Sequence, residues 1–352
     1  MNILFGIQAT GNGHISRSRE VVRNLKEMGH TVTSILSGRD PSLLWGMEDF
    51  EPFTTYRGIT FSTNRGRLQY LKTALQLHLF EYLKDARSID ASGYDLVITD
   101  FEPISAHIAK LNGIPSMGIG HQYAFPYDIP IAEATPLAVF VIKHFAPADY
   151  SVGLHWHHFN QPILPPIVPR MDYKEIPTQE NKILVYLPFE ELPDIKSLLI
   201  PLSSHVFYIY HKDVNPGEER NLYLRPYSRE GFLKDLMECN GVITNAGFEL
   251  ASETLHMGKR LLVKPLSGQM EQASNAMAID MLKLGMTMKT LDGNIVSQFL
   301  KSNSTSPMGY PEVAAMIAEW IGKGEWGNMN DLVKEAWALT AGAIKRYIST
   351  FP

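Results

Sequence analysis

Short apolar segments typical of buried strands alternate with helical segments along most of this chain. Such alternation predicts parallel sheets wrapped by helices, because a strand that returns in the same direction needs a crossover connection. The pattern breaks at Gln161 to Glu180, where five prolines favour extended chain. The sequence therefore predicts two α/β domains of the Rossmann-like kind. The predicted strands are Asn2 to Ile7, Thr31 to Leu36, Asp95 to Thr99, Ser116 to Ile119, Lys182 to Leu187, His205 to Tyr210, Gly241 to Thr244 and Arg260 to Val263.

The length of 352 residues leaves room for about two such domains. We place an N-terminal domain at residues 1–161, a proline-rich linker at 162–180, a second domain at 181–328 and a C-terminal helix at 329–352. Ligands of open α/β sheets bind outside the carboxyl ends of the strands. We therefore expect the two domains to face each other across a cleft that holds the site.

Composition argues against several classes of function. A net charge of -5 and a pI near 6.2 give no reason to expect nucleic-acid binding. The single cysteine, Cys239, rules out an intrachain disulfide and fits a reducing compartment. Met1 leads directly into a strand without a basic leader, and no apolar run approaches the ~20 residues of a membrane span. We expect a cytoplasmic protein, and the oligomeric state stays open.

One segment of the second domain contains a complete strand, turn and helix. The strand Gly241 to Thr244 is rich in β-branched residues, and the helix runs from Phe248 to Met257. Gly258 is placed to end that helix in a left-handed conformation. The turn between strand and helix consists of Asn245, Ala246 and Gly247.

The start of this helix suits a diphosphate. Its first amides have no partner within the helix and carry the positive end of the helix dipole, and Gly247 lets phosphates approach the backbone. Glu253 lies about a turn and a half further on, where a carboxylate can accept two hydrogen bonds from a ribose diol. After the next strand comes a polar group suited to sugar hydroxyls, which consists of Gln269, Glu271, Gln272 and Asn275.

The first strand ends in a glycine-rich turn of Gly11, Asn12 and Gly13, followed by His14 and a helix from Ile15 to Met28. A dinucleotide fingerprint would need glycine where Ser16 stands, and a P-loop would need lysine where His14 stands. Both alternatives fail, which leaves a flexible loop that presents His14 to the cleft. There His14 acts as a general base or simply packs the helix start.

Asp100 follows the strand Asp95 to Thr99, again at a carboxyl end. Asp is also a common helix cap, and Pro103 just beyond it suits a helix start. Asp100 therefore either serves the chemistry of the cleft or caps the next helix. Glu102 is a weaker candidate for the same chemical role.

The ordered series from Asn245 to Ala276 resembles the donor-binding motif of GT-B glycosyltransferases. It reads Asn-Ala-Gly, then Glu six residues after the Gly, then Gly, Pro and Glu-Gln-x-x-Asn-Ala. The motif is similar to those of the MurG-type (family 28) N-acetylglucosaminyltransferases and of the UDP-glycosyltransferases of small molecules. The whole chain looks most like a MurG-related bacterial and archaeal family sometimes labelled teichoic-acid biosynthesis proteins. The resemblance implies a GT-B fold whose last helix, about Asp331 to Ile348, crosses back to the first domain.

The resemblance also implies roles for residues of the second domain. Glu253 takes the ribose, and Glu271 with Gln272 matches an acidic-Gln pair that contacts the donor sugar. Related enzymes hold the nucleotide base near Arg225-Pro226-Tyr227, so Tyr227 either stacks on the base or belongs to the core.

In the first domain, Gly-x-Gly-His resembles the loop that carries the proposed catalytic histidine, here His14. An Asp in the place of Asp100 hydrogen-bonds that histidine in the small-molecule transferases. His121 and Gln122 resemble a His-Glu-Gln segment of the MurG-type enzymes that contacts the acceptor, although the Glu is missing. His121 is otherwise a structural residue.

The chain departs from the family pattern at Pro188 to Glu191, where the related enzymes have a small phosphate-binding loop. Proline offers no amide, and two carboxylates repel a diphosphate. We expect the amides of Asn245 to Phe248, together with an unidentified basic group, to hold the phosphates. There is no D-x-D motif, and the adjacent histidines of His155 to His158 point apart in an extended loop, so we expect no metal.

These features predict a metal-independent, inverting glycosyltransferase that uses a nucleotide sugar, UDP-linked, as co-substrate and needs no cofactor. Its acceptor is a glycan, a lipid-linked sugar or a small molecule. The alternatives are a UDP-N-acetylglucosamine-type epimerase of the same fold and a non-catalytic sugar-nucleotide binding subunit. Two apolar segments, Arg65 to Ala86 and Leu137 to Ile142, are candidates for a peripheral contact with the inner face of the membrane, and otherwise belong to the core.

Overall fold

A computed structural model describes residues 1–44, 46–58, 63–64, 67–68, 89–170 and 176–340 of the protein. Two seven-stranded sheets organise this part of the chain, and both are predominantly parallel. The two-domain α/β architecture predicted from the alternation of strands and helices is therefore confirmed. A short antiparallel hairpin of Thr63–Asn64 and Arg67–Leu68 forms a separate pair of strands.

The first sheet is built from seven parallel strands of the N-terminal half. They are β1 (Asn2–Gln8), β2 (Thr31–Ser37), β3 (Phe53–Tyr56), β6 (Leu96–Asp100), β7 (Ser116–Gly120), β8 (Tyr150–Leu154) and β9 (Ile163–Leu164), where β4 and β5 are the hairpin. Their spatial order is β3-β2-β1-β6-β7-β8-β9, so the direction of winding reverses between β1 and β6. Such a reversal opens a crevice at the carboxyl ends, here beside Gln8 and Asp100.

The second sheet repeats this arrangement. Its strands are β10 (Gln179–Tyr186), β11 (Val206–Tyr210), β12 (Gly217–Glu219), β13 (Leu222–Arg225), β14 (Cys239–Asn245), β15 (Arg260–Lys264) and β16 (Met286–Thr287). The order is β12-β13-β11-β10-β14-β15-β16, and only β12 runs antiparallel to its neighbour. The winding reverses between β10 and β14, whose last residues are Tyr186 and Asn245.

Ten α-helices pack around the described sheets, numbered α1 to α10 in chain order. They are Asn12–Glu27, Pro103–Asn112, Pro136–His144, Leu192–Leu199, Arg229–Glu238, Phe248–His256, Met270–Met281, Gly293–Lys301, Val313–Lys323 and Asn330–Leu339. Helices α2 and α6 end as predicted at left-handed glycines, Gly113 with φ of 65° and Gly258 with φ of 69°.

Two predicted boundaries are wrong. Helix α1 begins at Asn12 rather than Ile15, with Gly11 as an extended N-cap, so His14 lies in the first helical turn and not in a flexible loop. The predicted linker also begins too early, because Ile163–Leu164 forms edge strand β9 of the first sheet. Prolines on both sides of β9 are tolerated there because an edge strand has ladder positions that face no neighbour.

The last described helices contact the first domain. Helix α9 packs along α1, and the indole of Trp337 in α10 donates a hydrogen bond to the carbonyl of Ile163 at 2.7 Å. Trp337 is buried in the same apolar cluster as residues of β1. The predicted helix to Ile348 extends past Leu339 into residues outside the described part. Most of the apolar segment Arg65 to Ala86 also lies outside it, and the residues Arg67–Leu68 within that segment form strand β5.

Among the described helices, none combines the length and the apolar character that crossing a membrane requires. Helix α3 has no buried residue, and it exposes Leu137, Val139 and Phe140. The alternative that Leu137 to Ile142 belongs to the core is therefore wrong for most of this segment.

Substituting Gly6 with alanine should destabilise the first domain. A Cβ there would lie 1.9 Å from Oγ of Ser105 and 2.8 Å from Oε2 of Glu102, both in the buried start of α2. Overpacking of this kind costs about 1–3 kcal/mol. Gly93→Ala is the matched control, because a Cβ at that position meets nothing within 4 Å. Urea denaturation should show a lower midpoint for Gly6→Ala alone, and equal midpoints would contradict the packing.

Candidate functional site

His14 and Asp100 meet at the carboxyl edge of the first sheet. Nδ1 of His14 lies 2.7 Å from Oδ1 of Asp100. Asp100 is buried at the end of β6, whereas the His14 side chain remains 15% exposed and so is open to a reactant. Sequence reasoning predicted both residues for the cleft, and the fold brings them into hydrogen-bond contact.

Arg17 holds the Asp100 carboxylate from the other side. Its Nε donates to Oδ2 of Asp100 at 2.8 Å, its NH2 donates to Oδ1, and the hydroxyl of Ser18 donates to Oδ2 at 2.7 Å. Burial alone would raise the pKa of Asp100, but the charge of Arg17 and the bonds to His14 and Arg17 outweigh it and lower that pKa. Asp100 is therefore an ionised acceptor.

This network fixes the tautomer of His14. The NH2 group of Arg17 has two hydrogens, which Oδ1 of Asp100 and Oε1 of Gln122 accept, so neither remains for Nδ1 of His14 at 2.8 Å. Nδ1 therefore carries its own proton and donates it to Asp100. The lone pair of the neutral imidazole is on Nε2, which has no hydrogen-bond partner among the described residues.

Glu102 and not Asp100 caps helix α2. The Glu102 carboxylate accepts hydrogen bonds from the amides of Ile104 at 2.9 Å and Ser105 at 2.7 Å. The hydroxyl of Ser37 donates to it at 2.7 Å, and the side chain is fully buried. Of the two roles predicted for Asp100, Asp100 therefore has the contact with His14, and Glu102 has the role of helix cap. The weaker prediction that Glu102 serves the chemistry is wrong.

The start of α6 presents backbone amides without a side-chain cap. Gly247 is the N-cap in an extended conformation, and a Cβ at Gly247 would meet no atom within 4 Å. The side chains of Ala246 and Phe248 are buried, so the cleft receives only their backbone. The amide of Gly247 already donates to the carbonyl of Asn245 at 2.8 Å. The amides of Phe248 and Glu249 are therefore the ones that remain for a diphosphate at this helix start.

The first turns of α1 and α6 face each other across the cleft. A Cβ at Gly13 would lie 2.5 Å from Oε2 of Glu249, and NH1 of Arg17 donates to Oε1 of Glu249. The hydroxyl of Ser16 donates to Oε1 of Glu253 at 3.3 Å. The predicted ribose carboxylate, Glu253, is therefore close to the helix that carries His14.

The polar group of helix α7 is split between the cleft and the interior. Glu271 accepts a hydrogen bond from Nε2 of Gln122 at 2.9 Å across the domains, so both lie at the cleft. Oε1 of Gln269 is buried and has no partner among the described residues. Gln272, only 6% exposed, uses its Oε1 to accept the amide of Leu266 at 2.8 Å. Its expected sugar contact is therefore limited to its amide nitrogen.

Asn275 and His121 do not line the cleft, so the predicted sugar contact of Asn275 is wrong and the structural alternative holds for His121. Both are fully buried, and Nε2 of His121 lies 2.7 Å from Oδ1 of Asn275. Asn275 donates to the carbonyl of Ala246 at 2.9 Å, and His121 stacks on Phe248 with ring centroids 4.1 Å apart. Both side chains therefore help to pack the two domains together. Their polar atoms form hydrogen bonds within the protein and do not face the cleft.

Of the two carboxylates in the segment Pro188 to Glu191, Glu191 is exposed, whereas Glu190 has a cationic partner. Glu190 accepts Nζ of Lys264 at 2.6 Å, and Nδ2 of Asn245 lies 3.4 Å from the same oxygen. The predicted repulsion by Glu190 is therefore largely neutralised. Sequence reasoning missed both Lys264 and Arg17, although Arg17 follows His14 at the i+3 spacing of one helix face.

The remaining predicted residues lie at the edges of the cleft. Tyr227 is 41% exposed and meets Tyr186 edge-on with centroids 6.1 Å apart, so it is not a core residue. Asn12 is exposed at the start of α1.

His155 is buried, and among the described residues no three His, Cys, Asp or Glu side chains form a group that could hold a metal ion.

Comparison with known proteins agrees with this geometry. Residues 1–303 match the sequence profile described as Glycosyl transferase family 1. No protein of curated function matches the chain.

Several solved glycosyltransferase structures are similar to the chain over nearly its whole length. The glycotransferase of kitacinnamycin is 15% identical with a TM-score of 0.60, over 97% of this chain and 99% of that one. SsfS6 of Streptomyces sp. SF2575, complexed with thymidine diphosphate, is 14% identical with a TM-score of 0.59, over 92% and 99%. MurG of Acinetobacter baumannii is 15% identical with a TM-score of 0.54, over 92% and 99%. The predicted GT-B fold is thereby confirmed, while a specific place beside MurG stays a prediction.

Replacing Glu253 with glutamine should change how stability depends on pH. Burial and then the charge of Glu249 raise the pKa of Glu253 from 4.5 to about 7. A raised carboxylate pKa means that the wild type loses stability between about pH 4.5 and 7, by up to roughly 3 kcal/mol. Glu253→Gln should therefore be more stable than wild type above pH 7 and equally stable near pH 4.5, as measured by chemical denaturation across this range.

The control for this effect is Glu335→Gln, which alters an exposed carboxylate of α10. It should follow the wild type at every pH. A constant difference between Glu253→Gln and wild type across the range would show that folding does not raise the pKa of Glu253.

Proposed function

Because the chain belongs to Glycosyl transferase family 1, it is a glycosyltransferase, and we propose that it moves a sugar from a UDP-sugar to a hydroxyl acceptor with inversion at the anomeric carbon. The observation that carries the proposal is the 2.7 Å contact between His14 and Asp100, with Nε2 of His14 available to accept a proton. This pair faces the uncapped amides at the start of α6. A general base and a diphosphate site on opposite sides of a cleft are what such a transfer needs.

The reaction begins at the acceptor hydroxyl. Nε2 of His14 takes the hydroxyl proton while the oxygen attacks the anomeric carbon from the face opposite the diphosphate. The new C–O bond forms as the bond from the anomeric carbon to the phosphate oxygen breaks, and its electron pair leaves with the diphosphate. Asp100 stabilises the imidazolium that results. Attack from the opposite face inverts the configuration.

The second domain supplies the donor contacts. The amides of Phe248 and Glu249 lie at the positive end of α6 and stabilise the negative charge that the leaving diphosphate gains. Glu253 accepts the ribose hydroxyls, and Tyr227 stacks on the base. Glu271 contacts the donor sugar together with the amide nitrogen of Gln272. Because the amides and the cations of the cleft stabilise the leaving group, the proposal assigns no step to a metal.

His14→Ala should abolish transfer while leaving nucleotide binding intact. Loss of a general base costs about 100- to 10,000-fold in rate, whereas the donor contacts lie in the other domain. Transfer is followed by NMR with candidate acceptors, and UDP binding by calorimetry. The anomeric coupling constants of the product also report inversion or retention.

The control is His205→Ala, which changes a histidine that contacts its neighbour Ser204 in the second domain. Unchanged transfer by His14→Ala would refute the assignment of the base. Two other outcomes replace the proposal. Conversion of UDP-N-acetylglucosamine without any acceptor would indicate the epimerase, and binding of UDP without transfer or slow donor hydrolysis would indicate a binding subunit.

For the acceptor, we propose a lipid-linked sugar at the inner face of the cytoplasmic membrane. Helix α3 supports this, since it exposes 51% of Leu137 and 61% of Phe140 and buries none of its residues. Lys143 and His144 follow in its last turn. An apolar surface bordered by basic groups matches an anionic bilayer surface.

Phe140→Asp should weaken binding to vesicles of phosphatidylglycerol. Withdrawing one phenylalanine from an apolar phase costs about 1.5–3 kcal/mol, so we expect at least about a tenfold loss in a sedimentation assay. Leu111→Asp is the control, because Leu111 is equally exposed but belongs to α2. Equal effects of both substitutions, or none, would remove the case for α3.

A further inference from the structure

Arg39 is a partly buried cation of the cleft that no carboxylate of the described chain neutralises. Its NH1 donates to Oδ1 of Asn12 at 2.8 Å, and no ion pair involves it. Arg17, Arg19 and Arg170, in contrast, each pair with a carboxylate. Burial lowers the pKa of Arg39, because only the hydroxyls of Tyr186 and Tyr227 act against desolvation. A desolvated charge without a counter-charge favours an anionic ligand.

The backbone around Arg39 is held in a defined turn. Gly38 has φ of 91°, and its amide donates to the carbonyl of Arg57 at 3.0 Å. A Cβ at Gly38 would lie 2.8 Å from Cγ2 of Thr10, so the turn rests on the segment after β1. On the other side, Asp40 accepts the amide of Ser42 at 2.9 Å and caps a short 3₁₀ helix. These contacts therefore fix the backbone position from which the Arg39 side chain extends.

From this turn the side chain reaches toward the second domain. Asn12 accepts a hydrogen bond from Arg39, and the side chains of Tyr186 and Tyr227 lie near enough to affect the pKa of the guanidinium. Tyr186 ends β10 beside the winding reversal of the second sheet, and Tyr227 follows β13. Arg39 thus belongs to the first domain but lies near the carboxyl ends of the strands where open α/β sheets bind ligands.

We propose that Arg39 binds the diphosphate of the nucleotide-sugar donor from the opposite domain, an inference that rests on the proposed function. The donor is the anion that the reaction brings to this cleft. The α6 amides contact the diphosphate from one side, and Arg39 contacts it from the opposite side. A guanidinium suits this task because its planar N–H groups form paired bonds to phosphate oxygens. Lys264 is less suited, because Glu190 already neutralises it.

The test measures binding of UDP, TDP and uridine by calorimetry to wild type, Arg39→Gln and Arg39→Lys. Charge-assisted hydrogen bonds contribute about 1.5–3 kcal/mol, so Arg39→Gln should weaken the nucleoside diphosphate about 10- to 100-fold. Uridine, which has no phosphate, should bind both proteins equally, and Arg39→Lys should fall between them. Arg220→Gln removes an exposed charge from the β12–β13 turn and should have no effect.

Geranyl diphosphate serves as a probe for a diphosphate on the acceptor side. If Arg39→Gln weakens the binding of geranyl diphosphate alone, Arg39 contacts the acceptor and the proposal is overturned. Equal loss of uridine and nucleoside diphosphate, or no loss of either, also overturns it. A wild type that binds neither UDP nor TDP overturns the proposed function and this inference together, whereas binding that is insensitive to Arg39 removes the inference alone.

Discussion

One buried arginine determines the geometry of the cleft. Arg17 is only 2% exposed and donates to Asp100 and Gln122 of the first domain and to Glu249 of the second. A guanidinium can be buried only when its charge and its N–H groups are matched, and two carboxylates meet this condition. The same bonds keep Asp100 ionised, so that it orients His14, and draw the first turn of α6 toward α1. The position of the base and the closeness of the two domains therefore depend on one side chain.

An aromatic layer beneath this network supports it. His121 stacks on Phe248, and the indole of Trp156 donates to Ser252 at 2.8 Å. Asn275 can present Oδ1 to His121 only because its Nδ2 donates to the carbonyl of Ala246. The first two contacts join the first domain to α6, and Asn275 of α7 links His121 to the turn before α6. His121 and Asn275, which were predicted to contact ligands, thus hold α6 in place. They thereby fix the position of the amides at its start.

The elements of the fold were predictable because their signals are local. Apolar runs gave the strands, and Gly113 and Gly258 gave the ends of two helices through a backbone conformation that glycine favours. Side-chain roles were less predictable, since they depend on partners distant in sequence. Asp100 and Glu102 are two residues apart and chemically alike, yet one meets His14 and the other caps α2. Lys264 and Glu190 are 74 residues apart in the sequence, so no local pattern predicts their ion pair.

The charges of the cleft explain how a site with several carboxylates can receive a diphosphate. Lys264 neutralises Glu190, whereas the single charge of Arg17 is shared between Asp100 and Glu249, so those three side chains together keep one negative charge. Burial raises the pKa of Glu253 to about 7, which leaves much of it uncharged near neutral pH. The proposed diphosphate site therefore contains carboxylates that are partly compensated, and Arg39 pairs with no carboxylate among the described residues. In the proposed donor complex, hydrogen bonds from the ribose diol to Glu253 favour the ionised form of that carboxyl group.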